Sequence, residues 1–310
     1  MAYAQVDDYS YAIQAAESRI KNEQKRSHSN PFSLLPDNLI KSSNKDQVSL
    51  TREMPSDITA QSWAIYDPVA KEFLATRCST QKREIASITK VMTCILVLEI
   101  CDENDISLND LVSIGSNAAN IVGTTANLEE GDRVRIKDLL YGLMLPSGND
   151  AAVALSTYIG SLFNPNIPTL EFIRMMNIMA KYLELDNTHY QNTHGLSSKP
   201  NISSAKDVCV LAAYAMQNKK FRKIVNTQTY TCEIDNEYWG TRTVHWFNTN
   251  KLLGRGFDGV KTGTTPKAGP CLCVRTKDSQ RPLYITTLGS KTDGDRWMDA
   301  SKLSAWARGL

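Results

Sequence analysis

The chain has 310 residues, enough for one or two domains with a substantial core. Apolar residues make up 42% and charged residues 22%, ordinary values for a soluble globular protein, which argues against a fibrous or wholly disordered chain. A net charge of +2 with both signs interspersed leaves no footprint for nucleic acid or an acidic membrane surface.

Residues 1–53 precede the recognisable domain. Tyr9, Ile13, Ala16 and Ile20 recur at helical spacing, and Phe32, Leu34 and Leu35 form an apolar cluster between prolines. Such a segment is expected to dock, on the protein's own surface or on a partner chain. The catalytic region, residues 54–310, opens with two strand-like runs, Ser62 to Tyr66 and Glu72 to Thr76, joined by the turn chemistry of Asp67-Pro68. A helical block follows from about Lys82 to Lys223. Its predicted helices include a buried one beyond Lys90, then Ile136 to Met144, Asp150 to Ile159, Leu170 to Leu183 and Lys206 to Gln217. Strand character returns at Thr227 to Ile234, Thr241 to Asn248, Gly259 to Thr264, Cys271 to Thr276 and Pro282 to Gly289, before a closing helix from Gly294 to Arg308. Strands from both ends around a helical insertion predict an α/β (α+β) fold. One mixed sheet is covered by helices, with a helical subdomain beside it. The site is expected at their junction.

Three short motifs carry chemistry. Ser87-Ile88-Thr89-Lys90 puts a hydroxyl and an amine on one helix face, because positions i and i+3 are neighbours there. Ser147-Gly148-Asn149 offers a second hydroxyl and an amide. Lys261-Thr262-Gly263 supplies a cation and a hydroxyl suited to a carboxylate. An SxxK alone arises about once by chance in a chain of this length, but the three in this order are far rarer. The apolar run Val91 to Leu98 also argues against Lys90 being a solvated first-turn lysine, since a lysine at the mouth of a buried helix needs partners.

With their surroundings, these motifs resemble the serine D-alanyl-D-alanine carboxypeptidases, the low-molecular-mass penicillin-binding proteins. The likeness extends over Ala86 to Thr93, Ser147 to Ala152, Asp258 to Thr265, Thr188 to Leu196 and Ser203 to Asp207, and runs from about Met54 to the C-terminus. It departs at Ile85, often proline in the family, at Lys206, often arginine, and at Pro270-Cys271, which replaces a tyrosine-asparagine type of pair.

The resemblance implies a penicillin-binding-protein fold and an acyl-transfer hydrolase that needs no cofactor or metal. Ser87 would be the nucleophile, Lys90 its base, and Ser147 the relay to the leaving amine. Asn149 would bind the substrate's backbone amide. Lys261, Thr262 and Thr265, with Gly263 and Thr264 on the same strand, would bind a peptide through its free C-terminal carboxylate. The backbone N–H groups of Ser87 and Thr264 would form the oxyanion hole. A histidine triad is the competing chemistry, but His189, His194 and His245 sit in no general-base motif. The glutamate that a class A β-lactamase uses for deacylation has no matching motif between Ser147 and Lys261.

The first residues show no basic region followed by an apolar core, and no stretch reaches the ~18 apolar residues of a membrane span. Seven cysteines without paired spacing read as reduced structural thiols. A cytoplasmic or otherwise intracellular protein is therefore expected, extracytoplasmic only if the N-terminus is incomplete. The second reading is a docking or structural component of a large intracellular assembly, for example a cytoskeletal one, reached through residues 1–53.

Overall fold

The computed structural model describes residues 55–197, 201–278 and 281–309. The amphipathic stripe and apolar cluster expected in residues 1–53 lie outside the described residues.

The central sheet has five strands in the order β2-β1-β9-β8-β7. They are β1 (Ser62–Asp67), β2 (Glu72–Arg77), β7 (Phe257–Thr265), β8 (Gly269–Thr276) and β9 (Tyr284–Leu288). Both ends of the chain contribute, as the sequence predicts, but every pairing is antiparallel and none is mixed. β1 is buried along its whole length because helices cover both faces. Trp63 and Ile65 point into a core completed by Leu272, Val274, Ile285 and Leu303, the last from the closing helix α8 (Asp293–Ala307). The alternating Ala64 faces α6 (Ala205–Ala215), close enough for the Cys209 thiol to reach the Ala64 carbonyl at 3.6 Å. Asp299 on α8 closes the two ends of the domain. Its carboxylate accepts from Thr59 N, Thr59 Oγ1, Ala60 N and Ser290 Oγ at 2.8–3.0 Å.

The helical lobe is built around α1 (Lys90–Glu103). It packs against α3 (Ile136–Met144), α4 (Asn149–Ser161), α5 (Pro168–Tyr182), α6 and α7 (Lys219–Val225). Neighbours on so many sides explain why its sequence is apolar nearly all round. A short helix, α2 (Ser116–Ala119), precedes the segment that lies over the second motif.

A second, four-stranded sheet was not expected. It has the order β3-β4-β5-β6, from β3 (Leu111–Ser113), β4 (Asp132–Arg135), β5 (Thr229–Asn236) and β6 (Gly240–Phe247). The β5–β6 hairpin matches the predicted strands, whereas β3 and β4 fall inside the stretch read as helical. With three and four residues they are too short to show a period. This sheet braces the site: Trp246 of β6 donates from Nε1 to the Ala126 carbonyl at 2.8 Å, and Tyr230 stacks on Tyr141 of α3 at 3.8 Å between ring centroids.

Candidate active site

Ser87 lies in a single 3₁₀ turn, Ala86–Thr89, that runs directly into α1. Ala86 holds φ at +48°, an unfavourable value for a residue with a Cβ, of the kind that clusters at functional turns. Strand β7 runs beside this turn. A Cβ built on Gly263 would stand 2.8 Å from the Ile85 carbonyl oxygen and 3.0 Å from Ser87 N, so only glycine lets the strand come this close. Gly195 presses from another side, at φ +91°, where a Cβ would fall 2.0 Å from the Ala86 oxygen. The turn that carries Ser87 is thus wedged between two glycines.

Lys90 is fully buried, and its ammonium hydrogens are all directed at named acceptors. Nζ donates to Ser87 Oγ at 2.9 Å, to Asn149 Oδ1 at 2.7 Å and to the His194 carbonyl at 2.7 Å. Burial is the main cause that pulls its pKa well below the usual lysine range, and the Lys261 charge adds to it, while Asp150 opposes them. A lysine that gives up its proton readily, 2.9 Å from a hydroxyl, has the geometry of a general base.

Lys261 reaches the site because β7 carries an extra residue relative to β8 between Asp258 and Lys261, a bulge that resets which side chains face inward. It is 1% exposed, donates to the Thr262 carbonyl at 3.3 Å, and is brought down to about 7 by burial together with the nearby Arg296 charge. Ser147 adopts φ +68° in the turn before α4. Its Oγ is buried without a hydrogen-bond partner among the described residues, which leaves it available to a bound group.

The structure brings Ser87, Lys90 and Asn149 into one hydrogen-bonded chain, with the Lys261 charge acting on Lys90. Both ends of the Asn149 amide are engaged within the protein. Its Oδ1 accepts from Lys90 and its Nδ2 donates to the Val122 carbonyl at 2.7 Å, so the amide is engaged in holding the Lys90 side chain. Thr262 shares a hydroxyl contact of 2.7 Å with Thr249. Thr265 Oγ1 accepts from Ala268 N at 3.1 Å and so shapes the β7–β8 turn, leaving Thr264 exposed beside it.

Arg296 is a residue the motifs do not reveal. From α8 its Nη1 donates to Thr264 Oγ1 at 2.9 Å and to the Gly263 carbonyl at 3.2 Å, while Asp293 holds Nη2 at 2.5 Å and Trp297 lies beneath the guanidinium. No local pattern announces it, because a long side chain spans from a helix remote in sequence. The positions that depart from the family lie around the site rather than in it. Ile85 is buried immediately before the Ala86–Thr89 turn, Lys206 sits over the Phe73 ring, and Pro270 and Cys271 pair with Thr264 and Gly263.

The histidines play other parts. His194 Nδ1 accepts from Leu196 N at 3.2 Å, and burial with the Lys90 charge holds the ring neutral down to about pH 4. His245 lies on β6 against Thr231, and His189 bridges to Ile202.

This fold is that of the penicillin-binding proteins and DD-transpeptidases. The DD-transpeptidase of Streptomyces K15 superposes with a TM-score of 0.78 at 33% identity, covering 84% of this chain and all of that one. Penicillin binding protein 6B from Escherichia coli gives 0.72 at 32% identity, over 83% of this chain and 79% of that one. The family profile described as D-alanyl-D-alanine carboxypeptidase matches residues 47–292, and the chain belongs to that family of serine hydrolases. Among curated relatives, the D-alanyl-D-alanine carboxypeptidase of Streptomyces sp. strain K15 is 35% identical over 237 residues, 74% of this chain and 80% of its own length. DacD of Salmonella typhimurium is 34% identical over 273 residues, 85% of this chain. The chain spans 66% of that DacD and 62% of DacF from Bacillus subtilis.

Among the described residues, no helix is long and apolar enough to cross a membrane, and all seven cysteines are free.

Proposed function

We propose that this protein is a serine acyl-transferase acting on peptides that end in D-Ala-D-Ala, with Ser87 as nucleophile. The observation that carries the reading is the 2.9 Å contact between the Ser87 hydroxyl and a buried Lys90 whose pKa is held well below the usual lysine range. Lys90 takes the Ser87 proton as Oγ attacks the penultimate carbonyl. The oxyanion forms against the backbone N–H groups of Ser87 and Thr264, and one such donor is worth about 2.7–4 kcal/mol. Ser147 relays the proton that Lys90 has taken to the departing D-alanine amine, so that Lys90 is again neutral and the Ser147 hydroxyl is restored. The acyl-enzyme is then released to water or to an acceptor amine, which separates carboxypeptidase from transpeptidase outcome.

Lys261, Arg296 and the Thr262–Thr265 strand recognise the terminal carboxylate. Arg296, which donates to Thr264 Oγ1 at 2.9 Å, and Lys261, three residues earlier on the same strand, favour a substrate whose chain ends there, which makes the cleavage exopeptidic. The names of the relatives support the D-Ala-D-Ala specificity. The alternative, a docking or structural component of an assembly, rests on residues 1–53 and on the expected intracellular location. It gives no reason for burying two lysines beside a serine, an arrangement that costs stability and that catalysis requires. The test is release of D-alanine from a synthetic acyl peptide ending in D-Ala-D-Ala. Wild type should release it and Ser87→Ala should not, and no release by folded wild type would refute the reading.

A further inference from the structure

Asp150 follows the second motif and lies in the first turn of α4, where a carboxylate suits both the unpaired N–H groups and the positive end of the helix. It is 1% exposed, and a carboxylate so deeply buried is costly unless its oxygens are occupied. They are: Asp150 accepts from Thr125 Oγ1 at 2.5 Å, Ala126 N at 2.9 Å, Leu128 N at 3.1 Å and Ala151 N at 2.8 Å.

Thr125, Ala126 and Leu128 belong to the segment that grips the second motif. From that segment the Val122 carbonyl accepts from Asn149 Nδ2 at 2.7 Å and the Thr124 carbonyl from Asn149 N at 2.8 Å, and Thr124 Oγ1 donates to the Ser147 carbonyl at 2.6 Å. Gly123, at φ +97°, passes so close that a Cβ there would lie 2.6 Å from Asn149 Nδ2. Asn149 in turn holds Lys90. A continuous run of contacts therefore leads from Asp150 through residues 122–128 to the base.

We propose that Asp150 is a positioning residue of the acyl-transfer site: it clips residues 122–128 onto the Ser147–Asn149 turn, and that segment aims the amide that holds Lys90. The inference rests on the acyl-transfer reading above. Asp150 also acts by charge. The charged or titratable groups that bear on Lys90 are Lys261 from β7, Asp150 from α4 and His194 from the loop between α5 and α6. His194 is neutral above about pH 4, so Asp150 supplies the negative charge against the Lys261 cation. Without it Lys90 loses its proton more readily, and the acid limb of acylation, set by protonated Lys90, moves to lower pH.

The experiment measures the second-order rate of labelling by a fluorescent penicillin against pH for the full chain, Asp150→Asn and Thr125→Val. Asp150→Asn should label about tenfold to a hundredfold more slowly at neutral pH, with its acid limb shifted downward, because small misplacements of reacting groups cost this much. Thr125→Val loses one clip and keeps the charge. Its rate should fall about threefold to tenfold with the acid limb in place. Folded Asp150→Asn with the wild-type rate and profile overturns the inference while the acyl-transfer reading stands. Should Asp150→Asn fail to fold, an unchanged rate in Thr125→Val overturns it instead. A folded wild type that takes no label overturns both.

Discussion

Gly263 and Ser87 face each other across the gap between strand β7 and the Ala86–Thr89 turn, so closely that a Cβ on the glycine would lie 3.0 Å from the serine's backbone nitrogen. That nitrogen is one of the two proposed oxyanion donors, and the strand brings the second on the next residue. Gly263→Ala is therefore expected to push the two apart. Acylation should fall by about a hundredfold, as misplacements near 1 Å do. Stability should fall by about 1–3 kcal/mol from overpacking against the Ile85 carbonyl. Paired measurements of penicillin labelling and urea unfolding check this, and an alanine variant of wild-type rate would show that the contact is not needed.

The pH profile follows from two lysines with opposite duties. Lys90 must be neutral to act as a base, and burial with the Lys261 charge holds its pKa well below the usual lysine range, so the acid limb lies well below that range too. Lys261 must be charged to hold a carboxylate, and it titrates at about 7. The second-order rate of acylation by a penicillin should thus decline as pH rises above about 7. A rate that stays flat from neutral into alkaline pH would show that the Lys261 charge contributes nothing.

The same depressed value has a consequence for stability. In the unfolded chain Lys261 titrates near 10.5, so between about 7 and 10.5 the unfolded state binds the extra proton. The penalty of burying this cation is complete below about 7 and is relieved as pH climbs toward 10.5, so this group makes the fold more stable with rising pH in that window. Lys90 acts in the same direction. Lys261→Met should flatten the window, measured as the unfolding free energy at neutral pH and at pH 9–10. An unchanged slope would contradict the assignment.

Much of this site is legible in the residues alone. Three motifs mark Ser87, Lys90 and Lys261, and the run after Lys90 shows a buried helix. The predicted helix Ile136 to Met144 has the bounds observed. What local pattern does not carry is geometry between distant segments. Strands β3 and β4 are too short for periodicity to register, and they are held in place by pairing with the β5–β6 hairpin. Asn149 is visible as a motif residue, but only the folded chain shows its amide turned to Lys90 and Val122. Arg296 has no motif, and its long side chain meets Thr264 solely because α8 packs back along the sheet.

Arg296 is expected to act on binding more than on chemistry. Arg296→Gln removes a cation that donates to Thr264 Oγ1 at 2.9 Å. A charge-assisted hydrogen bond of this kind is worth about 1.5–3 kcal/mol, or about tenfold to a hundredfold in kcat/KM. The loss should be marked for a peptide with a free C-terminal carboxylate and slight for its amide. Equal losses on the two would place Arg296 outside carboxylate recognition.

Asp299 tests the closure of the domain. Its carboxylate is 1% exposed and serves Thr59, Ala60 and Ser290 together. Asp299→Ala leaves Ala60 N and Ser290 Oγ buried, and the Thr59 donors half-buried, without this acceptor and should cost about 2–5 kcal/mol. Chemical denaturation of the folded variant measures this, and a loss below about 1 kcal/mol would show that the ends are held by the apolar core instead.

The most direct measurement is intact-mass and peptide mass spectrometry of the protein after treatment with a penicillin. The β-lactam ring opens on Ser87 Oγ, so the adduct should carry the whole mass of the drug, map to the peptide containing Ser87, and be absent in Ser87→Ala. A folded wild-type protein with no adduct, or with the adduct on another residue, would contradict the central claim that Ser87 and Lys90 form the reacting pair.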